Sequence, residues 1–299
     1  MNFLPRPEGP QPEDFKLSRR LVGSMFFGGY AVAALSAEAQ PIVTPSDGLT
    51  VEEVLIPNGE AAPLPAYVAR PQDRGRHPAI IVVNEIWGIH AYIKDVCRRF
   101  ARLGYVAVAP AFFHRAGDPS QLTDMTEIRK IVATAGHAQV MGDVEATLAW
   151  LDRQRFTKKG KTGVTGFCWG GTVVWMAAAR FPGVKAGVAW YGRLVPPAPP
   201  QPGQPPSGEP GRPYPVDIAG ELKAPVLGLY GAKDRGIPVE TVERMRAALA
   251  AAGNPTGSEI VVYPEADHGF HADFRPSYKA DDAQDAWARA VAWFGKHLR

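Results

Sequence analysis

The chain is poor in cysteine, with two in 299 residues. Neither a disulfide framework nor a cysteine-rich zinc site can be built from so few. It also lacks an apolar run long enough to read as a membrane span, and no segment repeats. Charge of one sign is missing too: the formal net charge is +3, and Lys and Arg are scattered, so there is no footprint of a nucleic-acid surface. What is present, 45% apolar and 21% charged residues, suffices for one large domain with a substantial core. Proline is in excess, 29 in all, and it is concentrated between Val195 and Pro215.

Residues 1–48 form an N-terminal extension. Its first 20 residues are polar and proline-rich and end in Ser18-Arg19-Arg20. An uncharged Gly- and Ala-bearing stretch, Leu21 to Ala37, follows, then Ala37-Glu38-Ala39. Paired arginines, a moderately apolar run and an A-x-A-like site together resemble a twin-arginine export signal, which predicts a periplasmic protein. The alternative is a retained arm in a cytoplasmic protein. Val22 stands where that signal prefers phenylalanine.

From Leu49 onward the pattern is regular. Val51 to Ile56 and Ala66 to Arg70 read as an antiparallel pair turned near Asn58-Gly59. Ala79 to Asn84 is apolar throughout until its last residue, as expected of a strand buried on both faces. Further strands are predicted at Tyr105 to Ala109, Gly163 to Gly166, Ala186 to Tyr191, Val226 to Tyr230 and Ile260 to Tyr263. Helical spacing marks Tyr92 to Leu103, Val140 to Gln154, Thr172 to Arg180, Val239 to Ala252 and Ala283 to His297. Alternating strands and helices predict an α/β domain over 49–299, a mostly parallel twisted sheet with helices on both faces. The proline-rich stretch, 195–215, reads as an extended solvated insertion able to form a rim or lid.

The chemistry centres on Gly166-Phe167-Cys168-Trp169-Gly170-Gly171, placed between a strand and a helix. This is the nucleophile elbow G-x-S-x-G with cysteine in place of serine. Glycines two before and two after leave room for a sharp turn, and the helix start favours thiolate over thiol. A thiol nucleophile needs a base, and the base an orienting acid. Asp234 follows one later strand and His268 the next, giving the order Cys, Asp, His found in α/β-hydrolases. Of the other histidines, His90, His114 and His271 are possible site-lining residues, while His77, His137 and His297 read as surface positions. Backbone N–H groups of Trp169 and of Ile86, after the strand ending at Asn84, are the expected oxyanion donors, each worth ~3 kcal/mol in a transition state. Glu85, a carboxylate at the mouth of a buried strand, is costly unless it is bonded or functional. Cys97 reads as a core residue.

From about Leu49 to its end the chain resembles the dienelactone hydrolases (carboxymethylenebutenolidases), a cysteine-using branch of the α/β-hydrolase fold. Asn84-Glu85-Ile86-Trp87-Gly88, the cysteine elbow, Asp234 and His268-Gly269-Phe270 carry the resemblance. It implies an α/β-hydrolase fold and a triad of Cys168, His268 and Asp234, with Glu85 holding the resting thiol and taking its proton when substrate binds. It gives Tyr191 as a pocket residue and Arg115 as the arginine that binds a substrate carboxylate, with Trp87 and Phe270 as further substrate-binding candidates. The family's second carboxylate-binding arginine lies four residues after the histidine, where this chain has Ala272; Arg275 is nearby but out of register. The implied activity is opening of a lactone or small activated ester through a cysteine thioester. Neither a cofactor nor a metal is called for, and the expected partner is the small-molecule substrate alone, met by a monomer with no membrane in the mature form. A general carboxylesterase or thioesterase, a catalytically silent small-molecule binder, and an interaction protein using the proline-rich segment are the alternatives.

Overall fold

The order of apolar residues along β3 (His77–Val83) sets the architecture. Side chains alternate across a strand. Ala79, Ile81 and Val83 enter one core cluster and Ile80 and Val82 another, so the sheet is buried on both faces. This computed structural model describes residues 41–197, 209 and 211–299. The twin-arginine-like segment and most of the proline-rich stretch lie outside the described residues.

The remaining strands are β1 (Leu49–Ile56), β2 (Leu64–Pro71), β4 (Val106–Pro110), β5 (Thr157–Phe167), β6 (Val184–Trp190), β7 (Val226–Gly231) and β8 (Glu259–Tyr263). They form one 8-stranded sheet in the order β1-β2-β4-β3-β5-β6-β7-β8. Pairings β1–β2 and β2–β4 are antiparallel, and every other neighbour is parallel. On one face, α1 (Ala91–Arg102) and α6 (Ala280–Leu298) supply Phe100, Trp287 and Phe294. On the other, α3 (His137–Arg153), α4 (Trp169–Arg180) and α5 (Val239–Ala251) supply Val144, Trp175 and Met245. A mostly parallel sheet covered by helices on both sides is the architecture expected from the sequence. Among the described residues no helix is long and apolar enough to cross a membrane.

Two elements depart from expectation. Helix α2 (Met125–Ala133) has no counterpart in the sequence reading; it is short and its only buried residue is Ile128, although Met125, Ile128, Ile131 and Val132 share one face. The ends of the proline-rich stretch are not solvated: Val195 and Tyr214 are buried, and Pro215–Glu221 forms a 3-10 segment against the core. The expectation of a wholly extended insertion is corrected there, because two apolar flanks are enough to pin both ends.

Register decides what the sheet positions. Val83 pairs with Gly166, Phe167 with Trp190, Trp190 with Leu229, and Gly231 with Tyr263. The carboxyl ends of β3, β5, β6, β7 and β8 therefore lie along one edge. The segments leaving that edge carry Glu85, Cys168, Tyr191, Asp234 and His268. Ligands of open parallel sheets bind outside such an edge.

Candidate active site

Cys168 occupies the residue between β5 and α4 with φ 55° and ψ −116°. A side chain at positive φ costs on the order of 1–3 kcal/mol, and such strain persists only where the surroundings enforce it. The surroundings are two glycines. A Cβ on Gly166 would lie 2.3 Å from the Gly170 carbonyl oxygen, and one on Gly170 would lie 2.5 Å from that of Val83. The first turn of α4 is thus pressed against the end of β3, which brings Trp169 beside the segment bearing Ile86. Trp169 is the first residue of α4, where an N–H has no acceptor within its own helix. The Asn84 side-chain amide donates to the Glu85 carbonyl at 2.6 Å and shapes the turn that presents Ile86.

Asp234 follows β7 and is 3% exposed. Its Oδ1 accepts from the Gly236 and Ile237 amides at 2.8 and 2.9 Å, which builds the local turn. Its Oδ2 lies 2.7 Å from His268 Nδ1. The residue is both turn former and imidazole partner. The Cys168 side chain lines the same cavity as His268 and interacts with the imidazole. Burial works against a charged imidazole here. The bond to Asp234, the interaction with Cys168 and the charges behind them outweigh it and push the His268 pKa up to about 10. Tyr191 adopts φ 38°, is fully buried, and sets its ring 5.1 Å from that of His268.

Glu85 has no exposed surface. Its Oε1 lies 3.3 Å from Arg275 Nη2 and its Oε2 3.3 Å from His90 Nε2. Burial alone would raise its pKa. The Arg275 guanidinium, the His90 contact and the positive field of His90 and His268 hold it below the ordinary carboxylate value. Arg275 also sits over the Trp87 ring, 4.3 Å from its centroid. Gly269, at φ 76°, makes the path possible, since a Cβ there would stand 2.6 Å from Arg275 Nη1. The position four residues after His268 holds Ala272, which is buried and empty of charge, while Arg275 reaches the site from three residues further on. The bend of the loop that allows this has no signature in the sequence except Gly269.

A cavity of about 510 Å³ opens over Cys168, lined by Trp169, Thr172, Tyr191, Asp234, Ile237 and His268 among others. Cys168, Asp234, His268, Trp169 and Tyr191 are brought together as the sequence predicts, with Glu85, Ile86 and Trp87 on the adjoining loop. Three expected substrate-binding residues do not line the cavity, and the first, Trp87, has Arg275 over its ring on the adjoining loop. Arg115 forms a bidentate pair with Asp143 at 2.7 and 2.9 Å, and Asp143, buried on α3, holds it away. Phe270 is fully buried, packed on Tyr191 and Tyr263 with ring centroids 5.6 and 5.1 Å away. It supports the pocket wall and does not form it. His271 is likewise buried, its Nδ1 2.5 Å from the Tyr92 hydroxyl. Sequence reasoning passed over Arg193, Arg212 and Arg235, which line the cavity. Among the described residues no cluster of three or more His, Cys, Asp or Glu could hold a metal ion.

The sequence pattern of the Dienelactone hydrolase family matches residues 64–298. A protein of Methylorubrum extorquens named "Putative carboxymethylenebutenolidase" is 48% identical over 284 residues, 94% of either chain. One of the same name from Escherichia coli K12 is 43% identical, covering 90% of this chain and 95% of its own. The crystal structure described as "Putative Dienelactone Hydrolase" from Klebsiella pneumoniae superposes with a TM-score of 0.75 at 46% identity, over 83% of this chain and 99% of that one.

Proposed function

We propose, for a chain that belongs to the dienelactone hydrolase family of carboxymethylenebutenolidase-like carboxylic ester hydrolases, that Cys168 is the nucleophile and that the reaction passes through a thioester. The observation that carries this reading is His268, hydrogen-bonded to a buried carboxylate and sharing a cavity with a thiol set on a strained strand-to-helix turn.

The His268 imidazole, its pKa pushed up to about 10, faces the sulfur and is placed to hold the proton of the attacking thiol. The thiolate attacks the carbonyl carbon of a lactone or activated ester, and the carbonyl π electrons move to oxygen. The N–H groups of Trp169 and Ile86 receive that oxyanion. As the C=O re-forms, the C–O bond breaks, and His268 supplies a proton to the departing oxygen if it needs one; an enolate leaves without it. Acylation also removes the charge that forms on sulfur, one of the influences that hold the proton on His268. The imidazole pKa then falls, so His268, oriented by Asp234, can take a proton from water. Water adds to the thioester, and the thiolate leaves. Glu85 is kept as a carboxylate by Arg275 and His90. It is the acceptor for a residual thiol proton when a substrate draws Arg275 away.

Cys168→Ala is expected to abolish hydrolysis of an enol lactone and of p-nitrophenyl acetate while leaving the far-ultraviolet circular dichroism intact; wild-type turnover in that variant sinks the assignment. Cys168→Ser is expected to be strongly impaired, because a hydroxyl is far less acidic than a thiol. Arg115 engaged by Asp143 and the apolar Ala272 favour a second reading, a general esterase or thioesterase acting on small acyl groups. A substrate panel of matched esters and thioesters separates the two.

A further inference from the structure

Lys and Arg, scattered through the chain as a whole, are gathered by the fold at one place. The amino ends of β3 and β5 lie at the edge of the sheet opposite Cys168, and two basic segments meet there. His77 pairs with Thr157, and its amide donates to the Phe156 carbonyl at 2.9 Å. The next pairing joins Ala79 to Thr162, so β3 passes one residue while β5 passes four. Those four, Lys158-Lys159-Gly160-Lys161, bulge out of the ladder. Gly160 takes φ 70° there, and its amide donates to Asp152 Oδ1 at 3.2 Å. Arg74 and Arg76 stand in the turn before β3, and Arg155 stands between α3 and β5.

Six of the 33 Lys and Arg residues therefore stand on this edge, and the remaining 27 are outnumbered by the 30 Asp and Glu. Arg74, Arg76, Arg155, Lys158 and Lys159 are exposed, and Lys161 is partly so. Among the described residues none of the six forms an ion pair. The carboxylates beside them in sequence are engaged. Asp73 Oδ1 lies 2.8 Å from His77 Nε2, and Asp152 holds the Gly160 amide. Positive charge on this edge is thus left without a counter-charge of its own.

A protein partner would bury an apolar centre, and this edge offers none. The large exposed hydrophobic residues among the described ones are Val43, Val51 and Leu55, on or just before β1 at the end of the sheet. Duplex DNA calls for a helix or ribbon that enters a groove, which a bulge and two turns do not supply. Phe156, the aromatic residue beside the patch, is half-buried under Arg70, whose guanidinium is 4.5 Å from the ring centroid. What this edge presents is a cluster of cations, half of them lysines, hydrated point charges on flexible stems that suit lipid headgroup phosphates. We propose that the amino edge adsorbs the protein to an anionic phospholipid surface, with the cavity over Cys168 turned away from the bilayer. The inference goes beyond the hydrolytic reading and holds whichever residue is the nucleophile.

Vesicle sedimentation tests this, with phosphatidylcholine alone and with an equal mixture of phosphatidylcholine and phosphatidylglycerol. Wild type is expected to bind the mixture and not phosphatidylcholine, and to be released near 1 M salt, where the Debye length falls to about 3 Å. Each Lys or Arg close to such a surface raises affinity about fivefold, so Lys158→Gln, Lys159→Gln and Lys161→Gln together should lower the partition coefficient about a hundredfold. Hydrolysis of p-nitrophenyl acetate by that triple variant should match wild type. Arg129→Gln, Lys130→Gln and Arg244→Gln, on exposed positions of α2 and α5, remove the same charge elsewhere and should bind within about threefold of wild type. Equal losses in the two triple variants would mean that net charge alone acts, and would overturn the proposal. Absence of wild-type binding to the mixed vesicles would do the same. Tighter binding to duplex DNA than to the vesicles at one salt concentration would assign the edge to nucleic acid instead. Added mixed vesicles should leave wild-type hydrolysis of p-nitrophenyl acetate unchanged; inhibition would overturn the orientation.

Discussion

Asp234→Asn separates the electrostatic role of the carboxylate from its role in the turn. The asparagine carbonyl can keep the bonds from the Gly236 and Ile237 amides, at 2.8 and 2.9 Å in wild type, so the loop should survive. The amide nitrogen then replaces Oδ2, which lies 2.7 Å from His268 Nδ1. A donor now faces the imidazole, and the neutral ring must carry its proton on the nitrogen nearer Cys168. A charge-assisted bond to a carboxylate is worth roughly 1.5–3 kcal/mol, or about one to two pH units of imidazole affinity. In wild type the imidazolium pKa is raised to about 10, so the proton is present below that pH and is lost as pH rises through it. For an alkyl ester, whose departing alkoxide needs that proton, the alkaline limb of acylation should therefore sit near 10 in wild type and move to about 8–9 in the variant. Deacylation should suffer more, by ~10³–10⁴, because the wrong tautomer cannot accept a proton from water. The pH profile of alkyl ester hydrolysis measures the limb and stopped-flow release of p-nitrophenol measures deacylation: a burst followed by a nearly stalled steady state is expected for Asp234→Asn. A variant with wild-type deacylation and an unmoved alkaline limb refutes the reasoning.

Gly170→Ala should be strongly destabilising, by about 3 kcal/mol or more, because its Cβ would stand 2.5 and 2.7 Å from two backbone oxygens of β3 and the residue after it; urea unfolding measures the loss. Arg115→Gln should leave kcat/KM for ester substrates within about twofold and yet lower stability by roughly 1–3 kcal/mol, since it removes the charged partner of the buried Asp143 carboxylate and leaves the Asn58 amide as its remaining side-chain donor. Parallel kinetics and thermal melts distinguish this from a substrate-binding role. Iodoacetamide near neutral pH should label Cys168 and spare Cys97, whose thiol is fully buried and pushed up by that burial; peptide mapping decides it. N-terminal sequencing of protein from its native host should show cleavage after Ala39 if the paired arginines act as an export signal, and an intact start otherwise.

Three residues of the site were legible because each lies in the connection that leaves a strand of the parallel sheet. Cys168, Asp234 and His268 follow β5, β7 and β8, and chain order alone then proposes their roles. Glycine spacing was legible for a related reason: Gly166 and Gly170 matter through backbone contacts that any elbow must make. Arg115 was misplaced because its fate depends on Asp143, 28 residues further on and on another element. Arg275 was out of register in the sequence and reaches Glu85 only because the loop after His268 folds back over Gly269. Phe270 belongs to a recognisable motif, yet burial beneath Tyr191 is a property of packing that no local pattern encodes. The arginines around the cavity were invisible for the same reason, since Arg193 and Arg212 stand at opposite ends of the connection after β6 and Arg235 on the one after β7.

The central claim is a covalent acyl group on sulfur. Wild-type protein mixed with p-nitrophenyl acetate and quenched in acid within the burst should gain one acetyl mass, mapped to the peptide containing Cys168 and removable by neutral hydroxylamine. Asp234→Asn, with its stalled deacylation, should accumulate that species almost completely, and Cys168→Ala should never form it. Turnover with no acylated Cys168 in either wild type or Asp234→Asn would contradict the account.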